Sequence, residues 1–309
     1  MTVKVQTPVL VEETSTAQLE QVRRFKVGLA LLSVYVIWGS TYLALRIGIE
    51  TMPPFFLTGT RFLIAGGLMF AFLRLRGAPM PTGKEWRNAA IIGTLMLGFG
   101  TGGVAFAEQW VDSGLAAVAV AVVPVWVALF TGLTGRWPTR MEWVGLVIGL
   151  AGVGLLNLEN GMRANPQGAA ALILGPICWA TGSILSRHLA LPKGFMASAV
   201  EMIGGGAVLM TASLLLGERL TQTPSLPSVL ALIYLITFGS WIGFSAYMYL
   251  LKEVRPALAT SYAYVNPIVA VALGAVFVGE RITPVGIVAM LVILSGVVMV
   301  AFGREKQNA

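Results

Sequence analysis

The stretch W-G-S-T-Y-L-A-L-R at Trp38–Arg46 returns, with changes, as W-A-T-G-S-I-L-S-R at Trp179–Arg187. In both copies the arginine follows the tryptophan by eight positions, and the offset between them is 141. The correspondence extends outward. Arg61 to Phe70, with Gly66, maps at an offset of 140 onto Glu201 to Met210, with Gly206. Gly114-Leu-Ala-Ala followed by Pro124 maps at 143 onto Ala257-Leu-Ala-Thr followed by Pro267, and Gly135 and Gly152 map at 144 onto Gly279 and Gly296. Drift of only a few residues across the whole chain is the mark of an internal duplication.

What is duplicated is a set of apolar spans. Of 309 residues, 56% are apolar and 11% charged, with a mean hydropathy of +0.80, against roughly 25% charged in an ordinary soluble domain. A helix needs roughly 20 apolar residues to cross a bilayer. Charge and Pro/Gly clusters divide the chain into ten such stretches, near 27–46, 54–73, 87–107, 113–133, 142–158, 168–187, 195–216, 229–250, 256–278 and 283–302. Met1 to Glu20 is polar, lacks the apolar core of a signal peptide and reads as a short disordered tail. The predicted fold is an all-α membrane protein of ten transmembrane helices in two five-helix repeats: residues 27–158 and 159–303, flanked by cytoplasmic tails at 1–26 and 304–309. Five is odd, so the copies are inverted. Counting Lys and Arg by loop supports this, since cytoplasmic loops carry the excess: sixteen fall on the side of the termini and four, Arg46, Arg163, Arg219 and Arg281, on the other. The chain is expected in a bacterial cytoplasmic membrane with both termini inside.

Composition also excludes functions. One cysteine, Cys178, and one histidine, His188, allow no internal disulfide and offer little for a zinc or haem site, and no metal or other cofactor is expected. The net charge of +7 is scattered between spans instead of forming the basic stripe that nucleic acid requires. No nucleotide-binding motif is present. An enzyme would need a convergent nucleophile, base or metal set, which a lone His and a lone Cys far from any carboxylate cluster do not supply. Inverted repeats recur in secondary transporters, where two similar halves exchange conformations around a midplane site. The duplication disfavours a channel or scaffold. Expected partners are a small-molecule substrate and the bilayer, with the chain a monomer.

The run S-Y-A-Y-V-N-P-I-V-A-V-A-L-G-A-V-F-V-G-E-R-I-T-P at Ser261–Pro284, with the W-G-S-T-Y of the first span, resembles the EamA family of the drug/metabolite transporter superfamily, which includes YddG-type amino-acid exporters. The similarity covers nearly the whole chain after the tail, and Asn266-Pro267 followed thirteen residues later by Gly279-Glu280 is its most specific marker. The first copy departs from it with Gly135-Arg136. The resemblance implies ten helices, a central cavity, alternating access and export of amino acids or related metabolites, with other cargo such as drugs, purines or sugars as the alternative.

Candidate substrate-binding residues follow from helical faces. Tyr35, Trp38 and Tyr42 form one stripe, and Pro176, Trp179, Ser183 and Ser186 its counterpart. Phe99 flanks Gly102-Gly103 on the third span, and Trp241, Phe244, Ser245 and Met248 share a face of the eighth. The ninth span is the most polar, with Tyr262 and Asn266 on one face. The predicted site is Trp38, Tyr42, Phe99, Trp179, Ser183, Phe244, Tyr262 and Asn266, an aromatic ring with few polar groups suited to an amphipathic solute. Pro124 and Pro267, at matching positions, each remove a backbone hydrogen bond and are expected to act as hinges. Arg61 and Glu201, repeat-equivalent and opposite in sign, are the charges within spans; the expectation is a structural ion pair or snorkelling. Glu108 is expected in solvent at a helix end, Glu280 as a cap on the helix after Thr283-Pro284, and His188 at the surface.

Overall fold

The computed structural model describes residues 9–110, 113–135, 137–157, 166–273 and 284–302. Among them the chain is all helix, with no strand. Helix α1 runs through Val9–Ser33, a π-helical stretch Val34–Trp38 and Gly39–Ile49. It is followed by α2 (Pro54–Leu75) and by α3 (Gly83–Gly93, π-helical Thr94–Thr101 and Gly102–Ala107). Then come α4 (Ser113–Val120 and Val123–Leu133), α5 (Arg140–Asn157), α6 (Pro166–His188) and α7 (Phe195–Leu215). The remainder is α8 (Leu226–Tyr234, π-helical Leu235–Phe244 and Ser245–Glu253), α9 (Pro256–Ala259 and Tyr262–Leu273) and α10 (Pro284–Phe302). Among the described residues six stretches are long and apolar enough to cross a membrane: Glu20–Ile49, Pro54–Leu75, Gly83–Ala107, Pro166–His188, Phe195–Leu215 and Leu226–Glu253; Val123–Leu133 and Ile287–Val300 are shorter apolar helices.

Local chemistry sets the ends. Proline opens α2, α6 and α10, where its missing N–H costs nothing. Helices α2 and α7 close alike. Gly77 and Gly217 take left-handed φ values of +82° and +70°, which suits glycine after a helix, and Ala78 N to Leu73 O (3.0 Å) and Glu218 N to Ser213 O (2.9 Å) complete the cap. The expected disordered tail is overturned from Val9 onward: the helix starts there, eighteen residues before the first predicted span. Glu20 pairs with Arg24 one turn on at 3.2 Å, and Arg23 reaches Glu253 on α8 at 3.0 Å, so ion pairs link the polar extension to α8.

Helices α4 and α9 are interrupted, at different heights. In α4 the turn at Ala121–Val122 ends two positions before Pro124, and the helix resumes at Val123. In α9 the turn at Thr260–Ser261 precedes Pro267 by six positions, and Pro267 lies inside the continuing helix. The matching prolines therefore do not produce matching breaks. The expected Glu280 cap, with Gly279 and Thr283, lies outside the described residues, as do Arg136, Arg163, Arg281 and the tail at 304–309.

Two helix crossings organise the rest. Helices α2 and α7 meet at glycines: a Cβ on Gly66 would lie 2.9 Å from the Ile203 nitrogen, and one on Gly206 would lie 2.8 Å from the Leu63 nitrogen. The contact is reciprocal at the 140-residue offset. Helices α5 and α10 do the same, with Gly152 against Ile293 N at 2.9 Å and Gly296 against Gly149 N at 2.6 Å, reciprocal at 144. Around these pairs α1 packs between α8 and α9, and α6 between α3 and α4. Close approach through small residues is how helices associate where hydrophobic burial offers no driving force. Replacing Gly66 by Ala is expected to destabilise the protein by about 1–3 kcal/mol through overpacking. Gly67→Ala, where nothing lies within 4 Å, is expected to be neutral or stabilising by up to about 1 kcal/mol. Unfolding midpoints in detergent measure both.

Candidate functional site

Helices α1, α2, α3, α4, α6, α8 and α9 surround a central cavity of about 650 Å³ counted with its opening. The three π-helical stretches all face it, and in α6 the corresponding irregularity is Pro176, which lines the wall. Glycines admit the aromatic walls. A Cβ on Gly100 would lie 2.7 Å from the Trp179 ring, and one on Gly243 would collide with Trp38 Nε1.

The lower wall is four interlocked aromatic rings. Trp38 meets Trp179 edge to face, with ring centres 5.4 Å apart, and meets Tyr262 edge to face at 4.8 Å. Tyr247 contacts Trp38 at 5.2 Å, Trp179 at 5.6 Å and Tyr262 at 5.3 Å. Each such contact adds roughly 0.5–1.5 kcal/mol beyond the area it buries. The polar edges are fixed as well: Trp38 Nε1 donates to the Gly239 carbonyl at 3.1 Å, Trp179 Nε1 to the Tyr247 hydroxyl at 3.3 Å, and Ser183 Oγ lies 2.8 Å from that hydroxyl. Beyond this layer a second, more polar chamber of about 960 Å³ opens at the helix ends, lined by Thr131, Glu142, Arg187, His188, Lys252 and Arg255. There Arg255 is paired with Glu142 at 2.7 Å. Along α6, α8 and α9 the order is the same: cavity wall, aromatic ring, second chamber.

Six predicted residues, Trp38, Tyr42, Trp179, Phe244, Tyr262 and Asn266, are brought together on the cavity. Two are not. Ser183 is buried one turn below Trp179, bonded to Tyr247 within the aromatic layer. Phe99 is 54% exposed and points outward, because Gly98 and Gly100 on either side turn toward α7 and α6 and leave it the outer face. Trp241 also turns away, donating to the Ala65 carbonyl of α2 at 2.8 Å.

The charged residues require more correction. Arg61 does not pair with Glu201. It lines the cavity, and its Nε donates to Ser240 Oγ at 2.8 Å. Glu201 is fully buried, and neither carboxylate oxygen has a hydrogen-bond partner. Glu108, expected in solvent, is also fully buried with unpartnered oxygens, while its backbone carbonyl accepts from Arg46 at 2.6 Å. His188 is exposed, as expected. The sequence reading missed Tyr247, although its spacing of three from Phe244 places it on the same helical face.

Comparison with known proteins places this architecture. The model of the EamA-like transporter family matches the chain twice, over residues 25–158 and 166–302. The chain is 50% identical to the inner membrane transporter YedA of Escherichia coli K12 over 276 residues, covering 89% of this chain and 90% of that protein. It is 26% identical, over 92% of this chain and 98% of the relative, to a protein of Salmonella typhimurium named a probable amino-acid metabolite efflux pump. A solved crystal structure shares the fold with a TM-score of 0.75 at 20% identity, over 91% of this chain and 99% of that one.

The polar anchoring of the aromatic layer is open to measurement. Tyr247→Phe keeps the ring and removes the hydroxyl that Ser183 and Trp179 share, at an expected cost of about 1 kcal/mol. Adding Ser183→Ala should cost little more, since both changes break one network; a double-mutant cycle of unfolding midpoints reads the coupling.

Proposed function

The chain belongs to the EamA-like transporter family, and on that premise we propose that it is a secondary transporter that exports amino acids or related small amphipathic metabolites by alternating access. The observation that carries the reading is the cavity itself. It lies where the repeat-equivalent Trp38 and Trp179 touch, and an aromatic layer divides it from a second chamber. Equivalent residues of two copies meet only near the axis that relates the copies. This contact, the reciprocal glycine crossings and the two successive family matches all support a division into two inverted five-helix halves, 27–158 and 159–303. Such halves place a solute site near the midplane and let it face either side in turn.

The lining is apolar and aromatic with a few polar groups, Thr41, Tyr42, Arg61, Thr101 and Asn266, a composition suited to a small amphipathic solute. Among the described residues it contains no carboxylate, which argues against selection of organic cations. The printed name of the Salmonella relative, an amino-acid metabolite efflux pump, points the same way. In this reading Trp38, Trp179, Phe244 and Tyr262 hold the apolar part of the solute, Tyr42 and Asn266 its polar part, and the breaks beside Pro124 and before Pro267 let α4 and α9 bend.

Counterflow in proteoliposomes with amino acids, purines and sugars tests the reading. Amino-acid uptake above empty vesicles is expected. It should fall at least tenfold in Trp38→Ala and Trp179→Ala and stay unchanged in Phe99→Ala, whose side chain points outward. Uptake of purines or sugars alone would replace the substrate class, and full activity in both Trp variants would displace the site. The proposed orientation has its own test: a green fluorescent protein fused after Ala309 should fluoresce in cells, and alkaline phosphatase fused there should be inactive.

A further inference from the structure

Among the described residues, Arg61 is a cation without an anion. It lies within α2, only 4% exposed, on the wall of the central cavity. Its Nε is taken by Ser240 Oγ at 2.8 Å, its guanidinium carbon sits 4.6 Å from the centre of the Phe62 ring, and its Nη2 lies over Gly239, where a Cβ would come within 2.6 Å. Among the described residues no Asp or Glu forms a salt bridge with it, and the cavity lining contains none. Its terminal nitrogens make no hydrogen bond there either. A guanidinium does not escape this by losing its proton. Held in a low-dielectric span without an anionic partner, it is among the most expensive groups a membrane protein can keep, and such groups line solute paths.

Shape narrows what completes it. The two terminal nitrogens of a guanidinium present parallel N–H donors that match the two oxygens of a carboxylate. Gly239 provides the room: any side chain at that position would collide with the guanidinium. Elsewhere on the lining the Asn266 side chain lies beside the Tyr42 hydroxyl, and its Oδ1 is buried without a donor, an acceptor left open for an N–H or O–H group of the solute.

We propose that Arg61 is the anion-binding residue of the cavity, and that the solute is a carboxylate-bearing amphipathic molecule whose acid group is held by the Arg61 nitrogens and whose apolar part lies against Trp38, Trp179 and Tyr262. This rests on the reading of the cavity as the transport site and narrows it to carboxylates.

The test uses the purified full chain with four matched compounds: phenylalanine, 3-phenylpropionate, phenylalaninamide and phenethylamine. Their binding is measured by the rise in thermal unfolding midpoint, and counterflow of phenylalanine is followed in parallel. The two carboxylates should stabilise the wild type, while the amide and the amine bind roughly ten- to a hundredfold more weakly, the contrast expected from losing a charged hydrogen-bonded pair. Arg61→Gln should weaken both carboxylates by a similar factor and leave the amide and amine unchanged, with Arg61→Lys intermediate. Where Arg61→Gln does not fold, the wild-type series and Arg61→Lys decide alone. Equal binding of acid and amide, carboxylate binding unchanged in Arg61→Gln, or no stabilisation by either carboxylate overturns the proposal. The two readings fail separately. Stabilisation by 3-phenylpropionate that needs Arg61, with no counterflow of any amino acid, would remove amino-acid export and keep the anion site. Phenylalanine counterflow that persists in Arg61→Gln would do the reverse.

Discussion

Close backbone contact at two glycine crossings is the constraint on which this molecule depends. A bilayer gives helices no hydrophobic reason to associate, so cohesion comes from packing atoms at short range. Gly66 and Gly206 between α2 and α7, and Gly149, Gly152 and Gly296 between α5 and α10, let main chain meet main chain. Three of these four helices, α5, α7 and α10, contribute nothing to the cavity wall. They form the frame. The helices that line the cavity are free to carry irregularities that a frame could not tolerate: three π-helical stretches, Pro176, and the breaks in α4 and α9. The hydrogen bonds such irregularities free can be satisfied in a protein interior or beside a solvated cavity, and not against lipid.

Much of this architecture is legible in the sequence, because hydropathy and proline punctuation act over whole helices. The span expected near 54–73 is Pro54–Leu75, and that near 195–216 is Phe195–Leu215. The helical start of α1 was not legible: Glu20, Arg23 and Arg24 look like a soluble tail until Arg23 is seen to find Glu253, 230 positions away. Phe99 takes the outer face because the π-helical turns of Thr94–Thr101 shift side chains around the axis relative to a regular α-helix.

The charges make the sharper case. Opposite signs at equivalent positions suggested that Arg61 and Glu201 pair, but the spacing already argued otherwise. Each stands five residues before a crossing glycine, Gly66 or Gly206, and five residues turn a helix through about 140° beyond a full revolution. If the glycines face each other, the charges face away from the crossing. Arg61 accordingly reaches the cavity and Ser240 on α8, while the Glu201 backbone abuts Gly93 on α3. What the sequence could not supply is which of the two would find open space, since that depends on packing by distant helices.

The Trp38–Trp179 contact has a consequence for whatever occupies the cavity. The pair is alike in the two copies, but the groups around it are not. Tyr42 corresponds to Ser183, Tyr262 to Ala119, Asn266 to Val123 and Arg61 to Glu201. The chamber is therefore built on a matched pair and walled by unmatched chemistry, with hydroxyl and amide groups on one side and a guanidinium on another. Such a space has a head and a foot. A molecule with two different ends has one way to lie in it, and turned end for end it presents those ends to the wrong walls.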